Sequence, residues 1–151
     1  MRTTVRRVSH SNPWPSLAEE RAELLVVTRH AVPTDGRADF VERARTALGA
    51  LAQNPGYLSG CIAQSTDDAD TFVIESRWAD VGAYRRALSS FDVKINAVPL
   101  LSTAHDESSA FEVIVTRSVT DETVGVSGLA HDAGEIGLGS AAGPDIRSAT
   151  P

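Results

Sequence analysis

Apolar and polar positions along this chain change period several times, and each change marks an element. Leu24 to Val32 (LLVVTRHAV) is a short run rich in β-branched residues that ends at Pro33, the pattern of a mostly buried strand. Thr34, Asp35 and Gly36 supply turn and capping chemistry. Beyond them Phe40, Ala44, Ala47, Leu48 and Leu51 recur at i, i+4, i+7, i+8 and i+11, which puts one apolar face on a helix. That helix must stop before Asn54-Pro55-Gly56, because proline lacks a donor and glycine frees the backbone to turn. Tyr57–Ser65 and Thr71–Trp78 both read as strands, joined through the polar Thr66-Asp67-Asp68-Ala69-Asp70 segment as a hairpin. In the second strand Phe72, Ile74, Ser76 and Trp78 share one face, and Val73, Glu75 and Arg77 share the other.

Asp80 can cap a second helix whose stripe is Val81, Tyr84, Leu88 and Phe91, with a break and restart at Ser89–Asp92. A further helical piece is predicted over Val93–Leu101, bent or ended early by Pro99. Ala110–Val119 (AFEVIVTRSV) returns as one last strand. The order strand, helix, strand, strand, helix, strand, with right-handed crossovers, predicts an α+β fold: a ferredoxin-like βαββαβ unit with a four-stranded antiparallel sheet. Two helices cover only one face of that sheet. The strands are apolar in both registers, as in Leu24-Leu25-Val26-Val27, so a second copy of the chain is expected over the other face, making a homodimer.

The ends read differently. Residues 1–22 are polar, basic or proline-containing without a sustained period and are expected to form a flexible arm, with Trp14 as its one large aromatic group. Residues 120–151 carry Gly125, Gly128, Gly134, Gly137, Gly139 and Gly143 among small polar residues and are expected to be a disordered glycine-rich tail. The ordered domain is thus expected over 23–119.

Composition then narrows the function. With 42% hydrophobic and 23% charged residues the chain is of ordinary globular type, and its 151 residues suit one domain. A net charge of −6 argues against a nucleic-acid partner, since phosphate binding needs clustered Lys and Arg. No apolar run is long enough to span a bilayer, so no membrane partner is expected. The basic start, Arg2, Arg6 and Arg7, is followed by no apolar stretch of a secretory signal, and a cytoplasmic location is expected. The single Cys61 excludes an internal disulfide or a cysteine-based zinc cluster within one chain and reads as a small buried hydrophobe. No HxH, HxxxH or paired-carboxylate spacing presents a metal site.

The segments Asn54–Gly60 (NPGYLSG) and Phe72–Asp80 (FVIESRWAD), with Tyr84 and the closing Phe111-Glu112-Val113, together resemble the antibiotic biosynthesis monooxygenase family over residues 23–119. The resemblance implies a dimeric α/β barrel, with a pocket in each subunit between helices and sheet. Activities implied by the family are varied: cofactor-independent oxygenation of polycyclic phenols or anthrones, haem degradation, and handling of quinones or quorum signals. Haem-degrading relatives use an asparagine on the first strand, the strand-ending tryptophan and a histidine on the second helix. Here only Trp78 matches; Thr28, Arg29 and His30 stand where the asparagine is expected, and no histidine lies between Val81 and Ala104.

The candidate catalytic residues are His30, as a general base near neutral pH, and Trp78, as a stacking platform, although a lone strand histidine and a strand-ending tryptophan are more often structural residues. Phe72, Ile74, Tyr84, Phe91 and Arg29 are candidate substrate contacts, with Tyr84 and Phe91 expected to face the core. Glu75 and Arg77 read as polar contacts of the dimer interface. Two functions stand: a monooxygenase needing no cofactor and acting on a small aromatic, polyketide- or quinone-like substrate, or a non-catalytic dimeric module that binds a small ligand.

Overall fold

The turn at Asn54-Pro55-Gly56 joins the first helix to the sheet, and its geometry follows from its residues. The Asn54 side-chain amide donates to the carbonyls of Ala50 and Leu51, closing the helix end, and Gly56 adopts φ 88°, a left-handed conformation costly for any residue with a β-carbon. A β-carbon at Gly56 would also meet that of Ala83 at 2.5 Å. In this computed structural model the described residues are 21–129.

Their elements are β1 (Leu24–Ala31), a 3₁₀ turn (Thr34–Gly36), α1 (Arg37–Ala52), β2 (Tyr57–Gln64), β3 (Thr71–Trp78), α2 (Val81–Leu88), α3 (Phe91–Asn96), α4 (Val98–Leu101), β4 (Ala110–Glu112), β5 (Val115–Arg117) and β6 (Glu122–Val124). The main sheet has the antiparallel order β2-β3-β1-β4, the order a ferredoxin-like βαββαβ chain produces. No helix among the described residues is long and apolar enough to cross a membrane.

β3 alternates between buried and half-buried residues along its whole length, while on β1 Leu24, Val26, Thr28 and His30 are buried and Arg29 and Ala31 exposed. The buried set faces the helices. Phe40, Ala44, Ala47, Ala50 and Leu51 of α1 pack there, together with Val81, Ala83, Tyr84 and Ala87 of α2. The predicted Asp80 cap forms, its carboxylate accepting from the Ala83 N–H at 2.8 Å. The predicted break divides the second helical region into three pieces, and Pro99 sits in the first turn of α4, where its missing N–H is unneeded.

Five expectations are corrected. The last strand is two: Val113 still donates to the Glu23 carbonyl, but the chain then leaves β1 and β5 pairs with β6. The turn between them is held by Ser118, whose N–H donates to the Asp121 carbonyl and whose hydroxyl oxygen accepts from the Asp121 N–H. The predicted tail therefore does not start at 120. Val126 accepts from Ala22, while Ser127 and Gly128 donate to the Glu112 carboxylate, which draws residues 122–128 against the domain; residues 130–151 lie outside the described residues. At the other end, Ala22 is buried and Arg21 bridges to Val126, so the arm does not reach 22; residues 1–20, with Trp14, lie outside the described residues. Cys61 is exposed rather than buried, because it lies on the sheet face away from the helices. Phe91, expected to face the core, is 80% exposed: it opens α3, where Val93 alone is buried.

Candidate active site

The helix-covered side of the sheet is lined by two neighbouring strands in fixed register. His30 lies opposite Phe72, Thr28 opposite Ile74, Val26 opposite Ser76 and Leu24 opposite Trp78. Apolar side chains would be expected at all eight positions of a covered face, yet Thr28, His30 and Ser76 are polar and almost completely buried. This polar row is the most distinctive feature of the core.

At one end His30 packs against Phe40 with ring centroids 5.2 Å apart, and Phe40 packs in turn against Phe72 at 5.4 Å. The imidazole Nδ1 lies 3.3 Å from the Thr103 hydroxyl and Nε2 lies 3.0 Å from that of Thr28. Burial, reinforced by the neighbouring His105, pulls its pKa from 6.5 down to about 4, so the ring is neutral at ordinary pH.

At the other end Trp78 is fully buried between Tyr57, which meets it edge-on at 5.2 Å, and Tyr84, tilted against it at 5.4 Å. The indole N–H donates to the Ser76 hydroxyl at 2.9 Å. The Tyr84 hydroxyl is buried without a hydrogen-bond partner, and burial pushes its pKa well up. An unsatisfied buried hydroxyl costs about 1–3 kcal/mol, a burden that folds usually carry only where a ligand or water relieves it.

The structure thus brings His30 together with Phe72, and Trp78 together with Tyr84, with Ile74 between the two groups. It does not bring His30 to Trp78. Six residues of β3 separate their levels, about 20 Å at the rise of a strand. Arg29 points to the opposite face of the sheet and is held by Glu107 through two hydrogen bonds of 3.0 and 2.9 Å, and Phe91 is exposed on α3; neither joins the buried row. A groove of about 280 Å³ between α1 and the α3–α4 region is lined by Glu42, Arg43, Thr46, Ile95, Asn96, Pro99 and Leu100, and contains none of the predicted site residues. Among the described residues no cluster of three His, Cys, Asp or Glu could hold a metal ion.

Sequence reasoning missed Thr28 and Thr103 as partners of His30. Thr28 carried a signal, because it alternates with His30 on the same strand face; Thr103 lies 73 residues away and carried none.

Residues 24–94 match the family model of the antibiotic biosynthesis monooxygenases. Among solved structures, a mutant of SnoaB, a cofactor-independent oxygenase from Streptomyces nogalater, is similar with 26% identity and a TM-score of 0.54, covering 66% of this chain and 99% of SnoaB. A second SnoaB structure gives 22% identity and a TM-score of 0.53. A conserved protein from Methanosarcina mazei is similar with 17% identity and a TM-score of 0.52, covering 62% of this chain and 94% of its own. No curated protein matches. The strand order, the helices laid on one face and the match over residues 24–94 agree, and in fold the domain is similar to the antibiotic biosynthesis monooxygenases.

Proposed function

We propose that this protein is a monooxygenase that needs no cofactor and acts on a flat phenolic or quinone-like aromatic molecule, working as a homodimer. The observation that carries the reading is the buried row of Thr28, His30 and Ser76 ending at Trp78 and the unpartnered Tyr84 hydroxyl. Aromatic rings with polar groups spaced among them suit a flat molecule bearing oxygen substituents, which stacks through its rings and is oriented through its oxygens. Likeness to SnoaB supports the choice of reaction. An anthrone-type substrate illustrates the chemistry. Deprotonated, it is electron-rich enough to pass an electron to dioxygen itself; one oxygen atom becomes the new ring carbonyl and the other leaves as water with the two hydrogens of the oxidised carbon. The protein's share is to take a proton, hold the ring system and exclude water.

In this reading His30 is the base, Phe72 and Ile74 flank the ring system beside it, and Trp78 and Tyr84, about 20 Å along the strand, close the far end of the covered face. The test is oxygen uptake by purified protein across a panel of anthrones and hydroquinones without additives, with His30→Ala slower by roughly a hundredfold. The full burial of Trp78 and Tyr84 favours a second reading, a module that opens to bind a ligand without oxidising it. Binding of panel members, reported by tryptophan quenching in a Trp14→Phe background, without oxygen uptake would select that reading.

A further inference from the structure

The hydrogen bonds around His30 have a polarity that decides which nitrogen is free. The Thr103 hydroxyl donates to the Leu100 carbonyl at 2.7 Å, so toward the ring it can only accept; Nδ1 therefore carries the hydrogen. Nε2 then holds the lone pair and accepts from the Thr28 hydroxyl at 3.0 Å. Thr28 has a second acceptor in reach, the Ile74 carbonyl at 3.4 Å. If Nε2 gains a proton, the Thr28 hydroxyl can turn its own hydrogen to that carbonyl and accept from Nε2, and no buried donor is left unpaired in either state.

Position on the strand adds the direction of transfer. Thr28 is two residues nearer than His30 to the middle of the covered face and to Trp78. A phenol entering the covered face from the Trp78 end would therefore meet the Thr28 hydroxyl before the imidazole.

We propose that Thr28 relays a proton from a bound phenol to His30, and that Thr103 is the positioning residue that fixes Nε2 as the receiving nitrogen. The inference rests on the oxygenase reading of the same site. In the relay the phenol O–H breaks and its electron pair stays as phenolate. Its hydrogen goes to Thr28 Oγ1 as the hydrogen already there moves to Nε2, giving phenolate and imidazolium with no net change of charge. Around the ring stand Phe40 from α1, Phe72 from β3, and Thr103 and His105 from the segment after α4; the coulombic influence of His105 disfavours an imidazolium at His30. The Arg29–Glu107 pair lies on the other face of the sheet. The phenolate is therefore the counter-charge that makes the transfer feasible in a buried site.

The experiment is nitrogen-detected NMR of the full chain labelled at histidine, with the four histidines assigned through single substitutions, alongside turnover of the same samples. Expected is His30 as the Nδ1–H tautomer. Thr28→Val should lower its pKa further, because the protonated Nε2 would lose its acceptor, and should slow turnover about tenfold or more, with Thr28→Ser restoring both. Thr103→Val should shift the tautomer toward Nε2–H. An Nε2–H tautomer in the unmodified protein, or a Thr28→Val variant whose His30 titrates unchanged, overturns the relay. Absence of oxygen uptake by the unmodified protein counts against the oxygenase reading, and the tautomer and titration then decide whether the hydroxyl acts on His30 as described.

Discussion

Tyr57 folds back over Gly60 of its own strand, and its hydroxyl occupies the space that a β-carbon at Gly60 would take. The same β-carbon would stand 2.9 Å from the Glu75 carbonyl and 2.9 Å from Leu48 Cδ2. A backbone carbonyl in a paired strand cannot retreat, so Tyr57 would have to move, and with it the edge contact that holds Trp78. Gly60→Ala is therefore expected to destabilise the fold by about 1–3 kcal/mol, read from the urea midpoint, and to change tryptophan emission. An unchanged midpoint would contradict the packing of Tyr57 on Trp78.

Tyr84 separates stability from function. Its hydroxyl is buried and unpartnered, so Tyr84→Phe removes a desolvation cost and leaves the ring on Trp78 in place. Stability should be unchanged or higher by up to about 1 kcal/mol, while binding of a hydroxylated aromatic ligand weakens several-fold. A variant that lost stability would show that the hydroxyl has a partner in the folded protein.

His30 should give the protein an acid limb. Folding lowers its proton affinity from a pKa of 6.5 to about 4, so as pH falls the unfolded chain takes up the proton first. The contribution is complete above about pH 6.5, is lost progressively between 6.5 and 4, and is constant below; with the ring 2% exposed, the total is roughly 3 kcal/mol. Comparing urea unfolding of the parent and His30→Gln at pH 7.5 and pH 4.5 isolates it, because the carboxylates are common to both. Equal pH slopes in the two proteins would mean that the ring is already charged in the folded state.

The architecture was legible because period-2 and helical spacing alternate cleanly from Leu24 to Leu101, and turn chemistry at Asn54-Pro55-Gly56 and the Asp80 cap marks the boundaries. The region after Glu112 was not. Its apolar run reads as one strand, and only tertiary contact, the bonds from Ala22 to Val126 and from Gly125 to Ile114, shows that it folds back on the domain. Glycine content suggested disorder, but Gly125 is where the backbone passes Ala22 too closely for a side chain, at 2.9 Å from its Cα. Deleting residues 122–151 is accordingly expected to lower the melting temperature by several degrees, since it uncovers Ala22 and removes the partner of β5; no change would detach that segment from the fold. In the candidate site, the sequence singles out His30 and Trp78 one by one without saying where they stand relative to each other. Their separation depends on β1–β3 register, which pairs His30 with Phe72 and is not written in either strand alone.

The uncovered face of the sheet carries the last prediction. Leu25 and Val27 on β1, Val73 on β3, Ala63 on β2 and Phe111 on β4, which is 46% exposed, all stand away from the helices. Interleaved charges are paired within the chain: Arg77 lies 3.6 Å from Glu75 and 3.8 Å from Glu23, and Arg29 is held by Glu107. Covering this face with a second copy would therefore bury apolar surface without stranding a charge, and a two-fold arrangement makes the face its own complement. Sedimentation at micromolar concentration should report two chains. Val27 is in register with Glu75, so Val27→Asp sets a second carboxylate beside the first in the middle of the contact and should give monomers whose circular dichroism is unchanged. A parent protein that sediments as a monomer would leave the sheet face to another partner, and a Val27→Asp variant that stays dimeric would move the contact to a different surface.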